Sequence, residues 1–269
     1  MIIDFHTHMF PDKIAGRTLD YLSGIFGASP FADGTYTGLC NSMGKGAVDI
    51  SIALPAVTKV SQVASINRFA SAYTEGPVIS FGGIHPECEN YKEILKEIKN
   101  LGLKGIKLHP DYQDMYFDNI RYERIIDAAS ELGLITVVHA GVDPKCPEDV
   151  HCTPEMARKV LDDVKPEKLV LAHMGGNEMW DDVERYLVGQ NVYFDTGVTE
   201  YNAAGTVLTD RTYAWCRQDS VWNRFSVGRS EEFCGVVRAC ATDRGREGCH
   251  LFRKCKEIAG NIADRSKKR

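Results

Sequence analysis

Short, mostly apolar runs recur through the first two hundred residues, most followed by a stretch with helical periodicity, and most of them end in a histidine. That rhythm restricts the fold strongly. Strands that are apolar on both faces must be buried on both, which parallel strands achieve when helices cover them. The runs lie at 2–5, 48–55, 78–84, 104–108, 134–138, 169–172 and 192–195. Helical patterns occupy 61–74, 91–101, 121–132, 153–164 and 177–187; Ile94, Leu95, Ile98 and Leu101 form one such stripe, stopped by Gly102. Seven units without a linker predict an α/β (β/α)8 TIM barrel rather than an open sheet. The stretch 11–45, with Gly24, Gly27 and Gly34, shows no clear period. It reads as an active-site insertion with a short helix over 14–22.

The histidines select strand ends. Of eight in the chain, His6, His8, His85, His109, His139 and His173 fall at or just past the C-terminal end of a predicted strand. In such a barrel those ends share one rim, where active sites are built. His6 and His8 stand two residues apart on one strand, so both imidazoles aim at one point. Imidazoles converging on a rim suit a divalent ion, zinc first, with manganese, nickel or iron also compatible. The expected ligands are His6, His8 and His139, with His173 either binding the ion or acting as acid and base beside the attacking water.

Lys107 and His109 share a strand face. Lys107 either snorkels or pairs with a carboxylate, binds a substrate anion, or is carbamylated to bridge metals. His85 sits in an Ile-His-Pro turn that can contact substrate or merely cap a strand. Asp4, two residues before His6, is expected to be a supporting group rather than a ligand.

Composition narrows the partners. A net charge of −5 and a pI near 5.9 argue against nucleic acid or an anionic membrane surface and leave a small-molecule substrate as the expected partner. There is no apolar run long enough to span a membrane and no leader pattern ahead of the first strand. Nine cysteines, an odd number and without a CxxC, favour free thiols in a reducing compartment. A cytoplasmic protein is expected, and a homodimer is kept open.

Taken in order, IIDFHTH, GGIHPE, GIKLHPDYQ, VVHAG, LAHMGG, MWDDVERYL and VYFDTG resemble the amidohydrolase-related family, a branch of the amidohydrolase superfamily that includes metal-dependent decarboxylases. The likeness covers residues 1 to about 200. It implies His6 and His8 as first-strand metal ligands, His139 as the fifth-strand ligand and His173 as the histidine near the attacking water. The KLHP run also resembles the dihydroorotase segment that carries a carbamylated lysine. TatD-like nucleases share HxH and IHP, but the acidic charge and KLHPDYQ stand against that reading. The resemblance implies a hydrolase of amide, ester or related bonds, with a non-oxidative decarboxylase of an aromatic or unsaturated acid as the alternative and an inactive family member as the third reading.

The family pattern continues with an eighth strand, roughly ILFGTDSPW, whose aspartate binds the metal and handles the proton. No such stretch follows Asp195, and the tail turns rich in Arg, Cys and Trp. Read one base later, however, the codons available to residues 213–228 can spell MHGADKILFGTDSPW. The two glycines that follow from Trp215-Cys216 and Trp222-Asn223 are forced. The same shift can read EQFLLIERMHG from Gly205 and PLTEEEKDAIFSGNAKKLLGI from Ala241, ending on a stop across Ile262 and Ala263. The expectation is a barrel over 1–200 and an out-of-frame region over 201–269 that replaces the eighth strand and last helices.

Overall fold

The computed structural model describes residues 3–27, 29–195 and 197, and the backbone of 236–238. The chain begins with β1 (Ile3–Thr7), α1 (Asp12–Phe26), α2 (Tyr36–Gly46), β2 (Ile50–Ala53), α3 (Val63–Ala70), β3 (Val78–Ser80) and β4 (Gly82–Gly83). It continues through α4 (Tyr91–Asn100), β5 (Gly105–Leu108), α5 (Pro110–Gln113), α6 (Ile120–Glu131), β6 (Ile135–Val138), α7 (Pro154–Val164), β7 (Leu169–Leu171), α8 (Trp180–Leu187), β8 (Tyr193–Asp195) and β9 (Val236–Arg238). Strands pair in sequence order, parallel throughout from β1 to β3 and from β4 to β8, whereas β9 runs antiparallel to β8. β3 and β4 are one predicted strand interrupted at Phe81, whose N–H still donates to Ala53 O at 2.9 Å. This is the α/β barrel wall the periodicity predicts. The predicted out-of-frame region 201–269 lies outside the described residues apart from the β9 backbone.

Two apolar layers explain why the strands are apolar on both faces. Phe5, Ile52, Leu54, Ile79, Phe81, Ile135, Val137, Val170 and Tyr193 fill the inside of the curved sheet. Ile106, Leu108, Val138, Leu169 and Leu171 face outward and pack under the helices, against residues such as Leu95 and Ile98 of α4 and Val160 of α7. Thr153 caps α7 as its sequence suggests, accepting from Met156 N–H at 3.2 Å, with Pro154 at the first helical position.

The segment 11–45 departs from expectation. It holds two full helices rather than one short one, and their glycines hid them because glycine weakens a helix and carries no apolar stripe. Gly38 is required at its place, since a Cβ there would lie 2.0 Å from the Asp33 carboxylate. That carboxylate ties down Thr35, whose Oγ1 in turn accepts from Gly38 N–H at 3.0 Å and caps α2. Another glycine governs the barrel interior. A Cβ on Gly105 would meet Ile135 O at 2.4 Å and the Phe81 ring at 2.5 Å. Gly105→Ala is expected to cost about 2–3 kcal/mol through overpacking. Thermal unfolding should show a midpoint several degrees lower, and an unchanged midpoint would mean that the sheet yields there.

Candidate metal centre

β1 contains an irregularity that matters for the site. Four residues, Asp4 to Thr7, lie opposite three, Ser51 to Ala53, so β1 carries a bulge next to His6. A bulge re-aims side chains. Phe5 enters the inner core while His6 and His8 gather at its mouth, their rings 5.2 Å apart. Asp4 supports the turn by accepting from His6 N–H at 3.1 Å.

Four of the rim histidines, His6, His8, His139 and His173, are each fixed by a partner that sets the tautomer. His8 Nδ1 lies 2.7 Å from Leu54 O, and a carbonyl only accepts, so the proton is on Nδ1 and the Nε2 lone pair is free. His173 Nδ1 likewise donates to Gly197 O at 2.6 Å. Its Nε2, 3.1 Å from His139 Nδ1, is therefore the acceptor, and His139 donates. That leaves His139 Nε2 with a lone pair and no hydrogen-bond partner, although it is buried. His6 Nδ1 sits 2.7 Å from Asp195 Oδ2, so its Nε2 is also free. His6 stacks on His173 with ring centres 4.9 Å apart.

Asp195 organises this side of the rim. Wholly buried at the end of β8, it accepts from His6 Nδ1 on Oδ2, and from the His173 and Gly197 N–H groups on Oδ1 at 2.9 and 3.1 Å. It also helps hold His173 at φ 56°, a left-handed conformation that a residue other than glycine adopts at a cost. Asp195→Asn replaces an acceptor by an N–H donor in this network. We expect rim-metal affinity to fall roughly tenfold to a hundredfold, measured by competition with a chelating dye. Unchanged affinity would show that Asp195 does not orient His6.

Across the rim, His109 stacks on His139 at 4.2 Å and on Tyr112 at 3.9 Å. Gln113 holds its turn, accepting from His109 N–H at 3.2 Å while donating to Val57 O and Ile84 O. The carboxylates of Asp111 and Asp143 each approach His139 Nε2 to 3.7 Å, and Asp143 approaches His109 Nε2 to 3.8 Å. Burial, and then the nearby Lys107 ammonium, hold the imidazoles of His6, His8 and His109 below their ordinary pKa. Burial lowers His139 too, followed by its histidine neighbours, and brings His173 to about 3. All five are thus neutral at pH 7. Lys107 is itself fully buried with no hydrogen bond to Nζ, and burial lowers it to about 8. Burial raises the Asp143 carboxyl to about 6.

The structure therefore brings together His6, His8, His109, His139, His173 and Lys107. His85 stands apart: its Nδ1 accepts from Glu87 N–H at 3.3 Å and its described contacts stay within its own turn. Sequence reasoning missed Asp111, Asp143 and Asp195, though each carries a signal. Asp111 is two residues after His109, Asp143 four after His139, and Asp195 ends a strand as the histidines do. At the rim, two groups could hold a cation by proximity, His6 with His173 and Asp195, and His109 with His139 and Asp143. Neutral imidazoles with directed lone pairs, beside buried carboxylates, are a donor set that fits a divalent transition metal.

The comparisons agree with this fold. No curated protein matches the sequence significantly. Among solved structures, an uncharacterised TIM-barrel protein from Bordetella bronchiseptica is similar with a TM-score of 0.58 at 18% identity, the match covering 81% of this chain and 81% of that one. The 5-carboxyvanillate decarboxylase from Sphingomonas paucimobilis aligns with a TM-score of 0.51 at 14% identity, over 75% of this chain and 82% of that one. The family model described as amidohydrolase matches residues 3–223, and by that match this chain belongs to the amidohydrolase family of metal-dependent hydrolases and decarboxylases.

Proposed function

We propose that this protein is a hydrolase that uses a divalent metal and water to cleave an amide, ester or related C–N or C–O bond of a small molecule. His6, His8 and His139 would hold the ion, zinc being the best match to three imidazoles. When bound, such an ion lowers the pKa of water towards neutrality and polarises the bond under attack. The observation that carries the reading is the tautomer of His173. With Nδ1 committed to Gly197 O, Nε2 is the basic nitrogen of the ring; it accepts from His139 Nδ1 here and would exchange that contact for the proton of a water at the rim. Lys107 keeps a positive charge at neutral pH and is suited to a substrate anion, while His109 on Tyr112 forms a flat wall. The test is a panel of amides, esters and lactones offered to the zinc-loaded full chain. Turnover that a chelator abolishes and zinc restores is expected; a loaded protein that turns over none of them refutes the reading.

One observation favours decarboxylation of an aromatic or unsaturated acid instead. Asp143, raised to about 6 by burial, keeps some carboxylic acid near neutrality beside His109 and His139, where it could protonate a carbon. The decarboxylase similarity in fold is consistent with that chemistry. Release of CO2 from candidate acids, without hydrolysis of the panel, would select this reading.

We also propose that the chain from about Ala203 is an out-of-frame reading, and that an in-frame chain carries the eighth-strand aspartate. The support is the ordered family segment that the shifted codons can spell; the family match runs to residue 223 in the given frame and does not itself favour the shift. The coding DNA decides: codons 203 to 262 either spell the family segment one base along or they do not. If they do, the substrate panel and the kinetic comparisons are run on the in-frame protein, which should be active, and the present chain should turn over none of the panel.

A further inference from the structure

A second cluster lies outside the histidine rim, where the loop after β6 folds back on the start of α5. Asp111 and His151 are there more than nine-tenths buried, at 3% and 6% exposure, and Cys146 is half-buried beside them. His151 Nδ1 stands 3.4 Å from Asp111 Oδ1, and Cys146 Sγ 3.6 Å from the same atom, with the donor atoms of all three within 4.8 Å of one another. Around a tetrahedral zinc ion with bonds of ~2.0 Å to N and O and ~2.3 Å to S, neighbouring donor atoms are about 3.3–3.6 Å apart. The two spacings to Asp111 Oδ1 match. Buried His151 Nδ1 has no hydrogen-bond partner, which is costly unless something is supplied to its lone pair.

The surroundings fix the donors. His151 N–H donates to Asp111 Oδ1 at 3.2 Å, and Tyr116 stacks on the His151 ring at 4.9 Å. His151 Nε2 faces the Asp114 and Asp149 carboxylates at 3.7 and 3.8 Å. Those acceptors favour the proton on Nε2 and leave the Nδ1 lone pair turned towards Asp111. Among the described residues Lys145 is the opposing charge, and its Nζ is engaged by Asp111 O at 3.3 Å and by the Tyr112 ring. The geometry points to a second divalent-metal site of zinc type, held by the Asp111 carboxylate, the Cys146 sulfur and His151 Nδ1, which pins the loop after β6. On binding, the Cys146 S–H bond breaks, its proton leaves to solvent and the sulfur pair bonds the metal. Without a metal, burial and the Asp111 and Asp143 charges push the Cys146 thiol up to about 11. This loop also carries Asp143, and Asp111 Oδ2 lies 3.7 Å from His139 Nε2, so the pin sits one carboxylate from the rim.

The test uses the full-length protein and zinc alone. Alkylation of Cys146, followed by peptide mass spectrometry, is expected to slow about tenfold or more when zinc is added, because a metal-bound sulfur is a poor nucleophile. Cobalt loading should add a thiolate-to-cobalt absorption that Cys146→Ser and His151→Gln both remove, each variant also losing one equivalent of bound metal. Zinc-independent labelling of Cys146 in the wild-type protein, or an absorption that survives Cys146→Ser, overturns the proposal. His6→Ala separates this site from the rim: it should lower rim metal while leaving the Cys146 signal intact.

Discussion

Replacing His139 with Ala is expected to reduce kcat/KM by roughly a thousandfold, or about 4 kcal/mol of transition-state stabilisation, with loss of rim metal from the purified protein. His139 stands at the centre of the cluster. Its Nδ1 donates to His173 Nε2, its ring stacks on His109, and its unpartnered Nε2 lies between Asp111 and Asp143. Truncation removes one lone pair from the rim and also frees His173 Nε2 from the donor that fixes its direction. Metal content by elemental analysis and single-substrate kinetics together check this. A variant that keeps rim metal and loses less than tenfold in kcat/KM would move the ion away from His139. His85→Ala offers the contrast. Because His85 contacts only its own turn, its replacement should change metal content little.

The barrel wall was legible because each buried strand is short, apolar on both faces and closed by a polar residue at its C-terminal end. β5 and β6, with Lys107-Leu108-His109 and Val137-Val138-His139, show the pattern plainly. α1 and α2 were not legible, since Gly16, Gly24 and Gly44 erase the stripe that reveals a helix and face open space rather than a core. The bulge in β1 was also invisible: alternation alone puts Phe5 and His6 on opposite faces, and only the register against β2 shows the reset. The histidines could be found because their positions obey one rule. The carboxylates could not, because Asp111 and Asp143 lie in the loops that follow, and loop residues meet through backbone turns that no periodicity describes. Asp195 obeys the strand-end rule, but an aspartate that ends a strand carries no mark in the sequence to tell a site residue from a strand-terminating one. Its role, accepting from His6, His173 and Gly197, depends on the chain turning back at Gly197, where a Cβ would lie 3.1 Å from the His6 ring.

Metal-free protein should lose stability steeply as the pH falls below about 6.5, the ordinary histidine value. The sign follows from the direction of the shifts. Burial holds His6, His109 and His139 well below that value and His173 at about 3, so the folded chain refuses protons that the unfolded chain accepts. Stability is therefore complete above the unfolded pKa and is lost as the pH drops towards the folded one. His173 alone corresponds to something of the order of 4 kcal/mol across that window, comparable to much of a domain's net stability. Bound metal deepens the dependence, since its ligands must be deprotonated and protons compete with it in the same range. Lys107 adds a second slope at the alkaline end. Its folded value of about 8 lies below the unfolded one, so between the two a rise in pH favours the folded state. Urea unfolding of the chelator-treated protein at a series of pH values measures both limbs. A midpoint that does not move between pH 7 and 5 would mean that the rim imidazoles are already solvated, and that water, not packed protein, surrounds their lone pairs.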